Sequence, residues 1–498
     1  MSRYFDDDLP YVRADKLKPM AKIWGGESKM RKEECIACIT NGLKDPQKVQ
    51  AAISRLEAWE RNALAVVKLM GGVIPSPTLK IGILVSGLYP SRLSNYQDDI
   101  LNSLFRRGLI LVTGSYGPDS IDDSYGYSKL FYSDERLLAQ VGQPEYLPLE
   151  IRPTPARGEI HFRRTSEVAL DMMGMLQAIQ NMGGLKLTQN GAVRINNEIK
   201  LRHAMRWSET MGIDGFLFPK PAQAWLNAFG YSELLQKTAD NQLILKESPE
   251  QFAKLSFDAQ IRLLLEGFLR IPTWWELPDK HNYFDANGNG RNQGRMALTM
   301  ALRALPLNHE AVYSFTDFEE AFYFRVGEDF ALDYPPRRPY FYRYDSTAKQ
   351  KQELLDWQQQ TRTDWLKQEY PWLVGAFTTW LYFLGLVELF VDNGKPTGFR
   401  LTDIGCAVFH PELATVSRAE THLPTPDQPA WVVQPNFDII VYLDRVNASQ
   451  LAFLERCGER TESYKHTAHY RLTRQTTYRG LASGTSIEEI IATLQTGS

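Results

Sequence analysis

The chain is poor in cysteine and has no long apolar run. It contains 4 cysteines in 498 residues, which indicates a reducing compartment, because disulfide-stapled secreted domains use many more. The apolar stretches at residues 81–88 and 381–391 are far shorter than the ~20 residues that span a bilayer. The acidic start of the chain also lacks the apolar region of a signal peptide. We therefore expect a cytoplasmic protein that makes no membrane contact.

Neither sign of charge dominates. The 56 basic and 59 acidic residues leave a formal net charge of -3. A protein that coats nucleic acid would be strongly basic, so any contact with DNA must come from local patches. The length predicts about three domains at roughly 150 residues each, and 43% hydrophobic residues suffice for a core in each.

The motifs of several enzyme classes are missing. There is no G-x-x-x-x-G-K-[ST] loop to hold the phosphates of ATP: Gly394-Lys395 precedes Pro396, in a sequence typical of a hairpin turn. The 8 histidines form no H-E-x-x-H pattern. Cys35 and Cys38 have zinc-like spacing, but a structural zinc site needs a second pair. We expect no enzymatic activity and no cofactor.

One stretch of sequence leaves calcium binding as an alternative. Residues 285–290 (Asp-Ala-Asn-Gly-Asn-Gly) match the opening of an EF-hand loop. The twelfth position holds Met296 in place of the glutamate that would bind calcium with both oxygens. The sequence favours a surface loop here, with weak calcium binding as the alternative.

The N-terminal half predicts a basic arm followed by a winged helix. Residues 13–32 carry seven basic side chains against two acidic ones, so residues 1–44 are assigned to an arm, either solvated or in contact with phosphate. Asp45-Pro46 is typical of a helix start. Helices predicted at residues 51–70, 76–85 and 97–107 precede β-like runs at 109–113 and 128–132. This order predicts a winged-helix domain over residues 45–150.

The remaining chain divides into three predicted parts. Residues 151–345 form a helical domain with a degenerate winged helix, and residues 346–420 form a bridging helix and a further winged helix. In the latter, Asn393-Gly394 lies between two β-like runs, a strong hairpin signal. A polar linker at 420–429 precedes a small α/β domain at 430–498. The predicted fold class is thus α+β and mainly helical, a multi-domain chain of winged-helix-like modules.

The C-terminal part resembles a known family. The residues that carry the resemblance are Trp431 to Phe437 (WVVQPNF), Asp438 to Val441 (DIIV), Tyr470 to Thr473 (YRLT), Gly484 to Ile490 (GTSIEEI) and the preceding Gly398 to Gly405 (GFRLTDIG). These segments are similar to the helicase-associated domain found at the N-terminus of XPB/Ssl2-type DNA helicases and in stand-alone bacterial proteins. Asn436 stands where aspartate is common in that family. The resemblance covers roughly residues 370–495 and implies an accessory to DNA processing.

Three groups of residues are candidates for nucleic-acid binding. They are Arg337, Arg338, Tyr340, Tyr342 and Arg343 in a proline-containing segment, Lys465, Arg471 and Arg474 (with Arg479) near the C-terminus, and Arg106 and Arg107 at the end of a helix. Interleaved cations and rings suit phosphate and unpaired bases. The alternatives are a linker that packs on an apolar face, ordinary surface pairing, and cations that complement a helix dipole.

The leading functional interpretation is a non-catalytic DNA-binding or adaptor subunit. It would act with a separate helicase or nuclease in DNA repair or antiviral (anti-phage) defence, a role implied by the resemblance. A winged-helix transcription regulator and a protein–protein scaffold without DNA contact remain alternatives. The mixture of tyrosine and basic residues at 464–474 further predicts that the C-terminal domain docks on the partner. Its removal at the 420–429 linker should then leave a folded remainder.

Overall fold

The fold is mainly helical, with small antiparallel sheets. The computed structural model describes residues 4–88, 96–113, 130–155, 157–189, 192–205, 221–271, 289–306, 308, 310–327, 330, 348–410, 428–464 and 466–498. Of the described residues, 57% are helical, and they form four antiparallel sheets of three or four strands. This confirms the α+β, mainly helical class.

The N-terminal segment is packed and is not an arm. Two helices, α1 (Ala14–Ile23) and α2 (Lys32–Lys44), follow two short 3-10 turns. Phe5 and Leu9 are fully buried, and the backbone N–H of Phe5 donates to Asp134 Oδ2 at 2.8 Å. Arg136 pairs with Asp6 at 3.0 Å. The prediction of an arm over residues 1–44 was wrong because its apolar residues complete the core of the segment that follows.

The next elements belong to a first unit. They are α3 (Pro46–Ser54), α4 (Ala58–Leu69), β1 (Val73–Pro75), α5 (Ser76–Ser86), α6 (Tyr96–Arg106), β2 (Leu111–Thr113), β3 (Leu130–Tyr132) and α7 (Glu135–Gln140). The single helix predicted at 51–70 is two helices. The second starts after Glu57, whose N–H donates to the side chain of Glu60 at 2.9 Å in a capping box.

A second unit follows strand β4 (Glu159–Phe162). Its elements are α8 (Thr165–Asn181), β5 (Leu185–Lys186), α9 (Ile195–Ala204), α10 (Pro221–Tyr231), β6 (Leu235–Lys237) and β7 (Gln242–Leu245). Helix α8 is followed by Gly183 and Gly184, which both have positive φ. Two further helices, α11 (Pro249–Ala253) and α12 (Phe257–Leu269), lead to the third unit.

The third unit crosses the boundary predicted at residues 345/346. It contains α13 (Asn289–Arg303), β8 (Tyr313–Ser314), α14 (Phe315–Val326), α15 (Ala348–Ala376, continued by a π-helical turn at Phe377–Leu381), β9 (Val387–Asp392) and β10 (Lys395–Leu401). Strand β8 pairs with β10, so residues on both sides of that boundary share one sheet. The hairpin predicted at Asn393-Gly394 is confirmed, with φ of 50° and 73°. Helix α16 (Asp403–Phe409) ends this part.

The three units repeat one topology. Within residues 58–132, 165–245 and 289–401, the elements of the described residues follow the order helix, strand, helix, helix, strand, strand. In each sheet the last strand lies between the other two, as β1-β3-β2, β5-β7-β6 and β8-β10-β9. In the third sheet β4 is added beside β9. The chain therefore builds three related units, although the sequence shows no fixed-period repeat.

The C-terminal domain is a four-stranded sheet with helices on one face. Its elements are β11 (Trp431–Val433), β12 (Asp438–Tyr442), α17 (Ala448–Cys457), β13 (Glu459–Ser463), β14 (Thr467–Arg471), α18 (Arg474–Ala482) and α19 (Ile487–Gly497), with strand order β11-β12-β14-β13. The Trp431 ring stacks on Phe453 of α17 and its Nε1 donates to Leu494 O of α19 at 3.0 Å. The inner face of the sheet thus forms the core of this domain.

The units pack on one another through their helices. Helix α13 contacts α5, and α17 contacts both α8 and α11. The third helix of unit 2, α10, is enclosed: Trp225 is fully buried and its ring centroid lies 4.8 Å from that of Phe383, just after α15. Of the described helices, none combines the length and apolar character required to cross a membrane.

Candidate nucleic-acid and partner interface

Arg106 and Arg107 lie at the end of α6, as expected. Arg106 is exposed. Arg107 is held by helix α4, because its Nε lies 2.9 Å from Oε1 of Glu60, a carboxylate that is only 1% exposed. Ser103 Oγ donates to the same oxygen at 3.2 Å. Arg107 therefore stabilises the packing of α6 on α4 although its side chain is 37% exposed, and Arg106 is the more exposed residue of the two.

Several predicted residues lie outside the described part of the chain. These are Arg337, Arg338, Tyr340, Tyr342, Arg343 and Lys465. The calcium-like stretch at residues 285–290 also falls largely outside it, and its last two residues belong to the start of α13. Their proposed roles stay predictions.

Arg471 and Arg474 lie on either side of the junction between β14 and α18. The Arg471 side chain is 54% exposed, with Nε 2.6 Å from Asp438 Oδ1. This hydrogen-bonded ion pair raises the pKa of Arg471 and lowers that of Asp438. Arg474 is exposed as the first residue of α18, which Thr473 caps, and it pairs with no acid in the described ranges. The junction therefore presents one paired and one unpaired guanidinium group.

Arg479 has a structural role that its sequence position does not reveal. Its guanidinium donates to the carbonyl oxygens of Arg456 at 2.9 Å, Glu455 at 3.1 Å and Gly458 at 2.7 Å. These are the last carbonyls of α17 and the residue after it, groups that a helix leaves without partners. The suggestion that Arg479 faces a DNA backbone was therefore wrong.

The outer face of the C-terminal sheet is defined here by the side chains that alternate with the buried ones. Across the strands, one row runs Val432, Ile440, His469, Glu462 and another runs Asp438, Arg471, Glu459. Beside the first row, the Tyr464 ring meets His469 edge to face, with centroids 5.4 Å apart. The outer face thus combines apolar, aromatic and charged groups of both signs.

Two aromatic residues differ in exposure from what the sequence indicates. Tyr470 was expected on the exposed mixed face but is fully buried, with its hydroxyl donating to Glu455 Oε1 at 2.6 Å. Phe437 was missed: it is 65% exposed in the turn between β11 and β12, with φ of 65°. The sequence signal for this exposed ring was its position directly after Pro435-Asn436, a pair typical of turns.

The cysteine pair on α2 is packed in the helix interface. Cys38 Sγ lies 3.6 Å from Trp24 O, and burial raises the pKa of both the Cys35 and Cys38 thiols. Over the described ranges, no three His, Cys, Asp or Glu side chains are grouped as metal ligands. The two cysteines therefore fit a role as small side chains packed between helices.

Comparison with protein-family models gives no match, and comparison with curated proteins gives none either.

Proposed function

We propose that this chain is a non-catalytic adaptor subunit of a DNA-processing assembly, working with a separate helicase or nuclease. The observation that carries the proposal is the threefold recurrence of helix, strand, helix, helix, strand, strand with the last strand in the centre of each sheet. This is the order of a winged helix, a helix-turn-helix core with a hairpin beside it. The resemblance of residues 370–495 to helicase-associated domains supports the choice of partner, in DNA repair or antiviral defence.

The packing favours an adaptor over a reader of base sequence. A winged helix reads DNA with its third helix in the major groove. The third helix of unit 2 is buried along most of its length, and the last turns of α15 bury Trp372, Phe377 and Trp380. In unit 1, α6 carries Asp98 and Asp99 near its start, charges that repel phosphate. The same burial supports the second candidate, a scaffold without DNA contact, over a transcription regulator.

DNA contact is assigned to the phosphate backbone at the β14–α18 junction. Arg471 and Arg474 lie three residues apart, and α18 begins at Arg474, so the positive end of the helix dipole adds to both guanidinium groups. A phosphate could compete with Asp438 for Arg471, because the Arg471 side chain is 54% exposed and ion pairs that water reaches are weak.

Replacing Arg471 and Arg474 together with alanine should weaken DNA binding and flatten its salt dependence. Two lost phosphate contacts should reduce the slope of log K against log[salt] by about 1.4–1.8. Fluorescence anisotropy on duplex and single-stranded DNA between low and moderate salt measures the slope. Arg13→Ala is the matched control, since Arg13 is an exposed arginine paired with Asp15 in the N-terminal segment. An unchanged slope in the double variant would favour the scaffold.

The purified chain should hydrolyse no ATP, with or without DNA. The sequence contains no phosphate-binding loop for a motor, so ATPase activity belongs to the partner. Phosphate release measured after a high-salt and denaturing-wash purification tests this expectation. DNA-stimulated hydrolysis that co-elutes with the pure chain through two further columns would overturn the non-catalytic assignment.

A further inference from the structure

Three arginines near one carboxylate have buried donors for which the described residues provide no acceptor. Arg262 and Arg270 lie on α12, and Arg303 ends α13. The Nε atom of each is buried and makes no hydrogen bond to the described part of the chain. Buried donors of a charged group are costly when unsatisfied, and nearly all such groups in native proteins have a partner, including bound water or ions.

The same place carries more positive than negative charge. Arg262, Arg270, Arg303 and Lys68 all act electrostatically on Glu266. Asp258 is the further carboxylate, 3.1 Å from Arg262 Nη2. Burial raises the pKa of Glu266 although all four cations oppose it. Arg270 Nη2 lies 4.0 Å from Glu266 Oε2, so Arg262 and Arg270 each have a carboxylate nearby, and the positive charge of Arg303 and Lys68 adds to this partly buried setting.

A small cavity adjoins two of these arginines. Its volume is about 70 Å³, and it is lined by Gln143, Pro144, Tyr146, Arg262, Arg303, Val408 and Phe409. One water needs about 10–15 Å³ on this measure, so the space holds a group larger than a single water. Arg303 Nη1 donates to Gln143 Oε1 at 3.2 Å, and Arg262 Nη2 donates to Ala407 O at 3.1 Å. One nitrogen of each guanidinium is thus anchored at the cavity wall.

We propose that this cavity binds one oxyanion of the phosphate class, held by Arg262 and Arg303. The planar guanidinium fork matches a tetrahedral oxyanion with two parallel hydrogen bonds. Such a ligand accounts for the excess of positive charge beside the cavity. The source is either free inorganic phosphate or a phosphate group on a nucleic-acid end. The proposal stands independently of the adaptor function.

Calorimetric titration of the full chain with inorganic phosphate, at constant ionic strength set by chloride, tests the site. We expect one saturable site per chain, for which sulfate competes. Arg303→Gln and Arg262→Gln should each weaken binding at least tenfold. Arg202→Gln, in an exposed helical pair with Glu198, is the matched control and should bind as the wild type. Competition by a 5′-phosphorylated oligonucleotide, but not by its unphosphorylated form, would identify the nucleic-acid source; competition by neither form would identify free phosphate.

Glu266→Gln keeps the test decisive if the arginine variants fail to fold. Removing this carboxylate charge increases the excess of positive charge, so phosphate should bind several-fold more tightly. A purely structural role for the arginines predicts no such gain. The proposal is overturned if the folded wild type gives no saturable binding of phosphate or sulfate. It is also overturned if Glu266→Gln leaves the affinity unchanged, or if folded Arg303→Gln binds as tightly as the wild type.

Discussion

Replacing Asp171 with alanine should lower the free energy of unfolding by about 3–5 kcal/mol, because it leaves a buried arginine charge without its partner. Asp171 on α8 is fully buried and forms an ion pair with Arg163, whose side chain is 3% exposed. Arg163 Nη1 also donates to Phe383 O at 2.6 Å, and its guanidinium lies over the Phe383 ring. The pair therefore joins the start of unit 2 to the end of the long helix of unit 3. Urea denaturation at neutral pH, followed by circular dichroism, measures the loss.

Two further variants separate charge burial from a general effect of mutation. Glu198→Ala removes the carboxylate of the exposed Arg202–Glu198 pair and should change stability by less than about 0.5 kcal/mol. In the double variant Arg163→Met, Asp171→Leu, both charges are replaced by apolar groups, so most of the lost stability should return. A loss below 1 kcal/mol for Asp171→Ala would show that Arg163 finds another partner or water.

Local signals in the sequence predict the helices and turns that depend on near neighbours. Asp45 caps α3 through the N–H groups of Gln47 and Lys48, and Ser486 Oγ accepts from Glu489 N–H at the start of α19. The Asn393-Gly394 hairpin follows from the positive φ that both residues tolerate. These features need only a few adjacent residues, so a single sequence is sufficient to place them.

Strands β1 and β8 and the unit boundaries depend on distant partners and were not predicted. Strands β1 and β8 have only two or three residues each, too few for a period-2 pattern. Each becomes a strand by pairing with a hairpin far along the chain; β8, for example, pairs with β10 some 85 residues later. The third unit therefore begins at α13, well before residues 346–420, where the sequence predicts a winged helix.

The candidate site shows the same division between local and distant contacts. The sequence predicts a strand-to-helix junction at Arg471 and Arg474. Both residues are therefore expected near the surface. Three other contacts depend on which helices meet. Arg107 contacts Glu60, Arg479 binds the end of α17, and Tyr470 faces inward. Charge and residue type alone cannot distinguish a cation that binds a backbone carbonyl from one available to DNA.

The C-terminal domain is joined to unit 2 more closely than its polar linker suggests. Helix α17 packs on α8 and α11. Arg456 Nη1 lies 2.8 Å from Glu250 Oε1 of α11, Arg460 donates to the carbonyl of Ala204, and Ser449 Oγ donates to Ala253 O at 3.3 Å. Helix α8 is buried at every position from Val168 to Gln177, so its sides are covered by several neighbours at once. The expectation that residues 431–498 can be removed without harm therefore needs revision.

Residues 1–427 expressed alone should aggregate or expose apolar surface. Loss of α17 uncovers one side of α8, and each large apolar side chain left in water costs about 1.5–3 kcal/mol, a sizeable part of the total stability of a domain. Size-exclusion chromatography and binding of a hydrophobic dye measure the effect. Co-expression with residues 428–498 as a separate chain should restore a soluble complex, because the contacts do not require the connecting segment. A monodisperse 1–427 chain that melts at the temperature of the full chain would show that the domain docks without supporting unit 2, and the partner-binding role of the domain could then be tested by deletion.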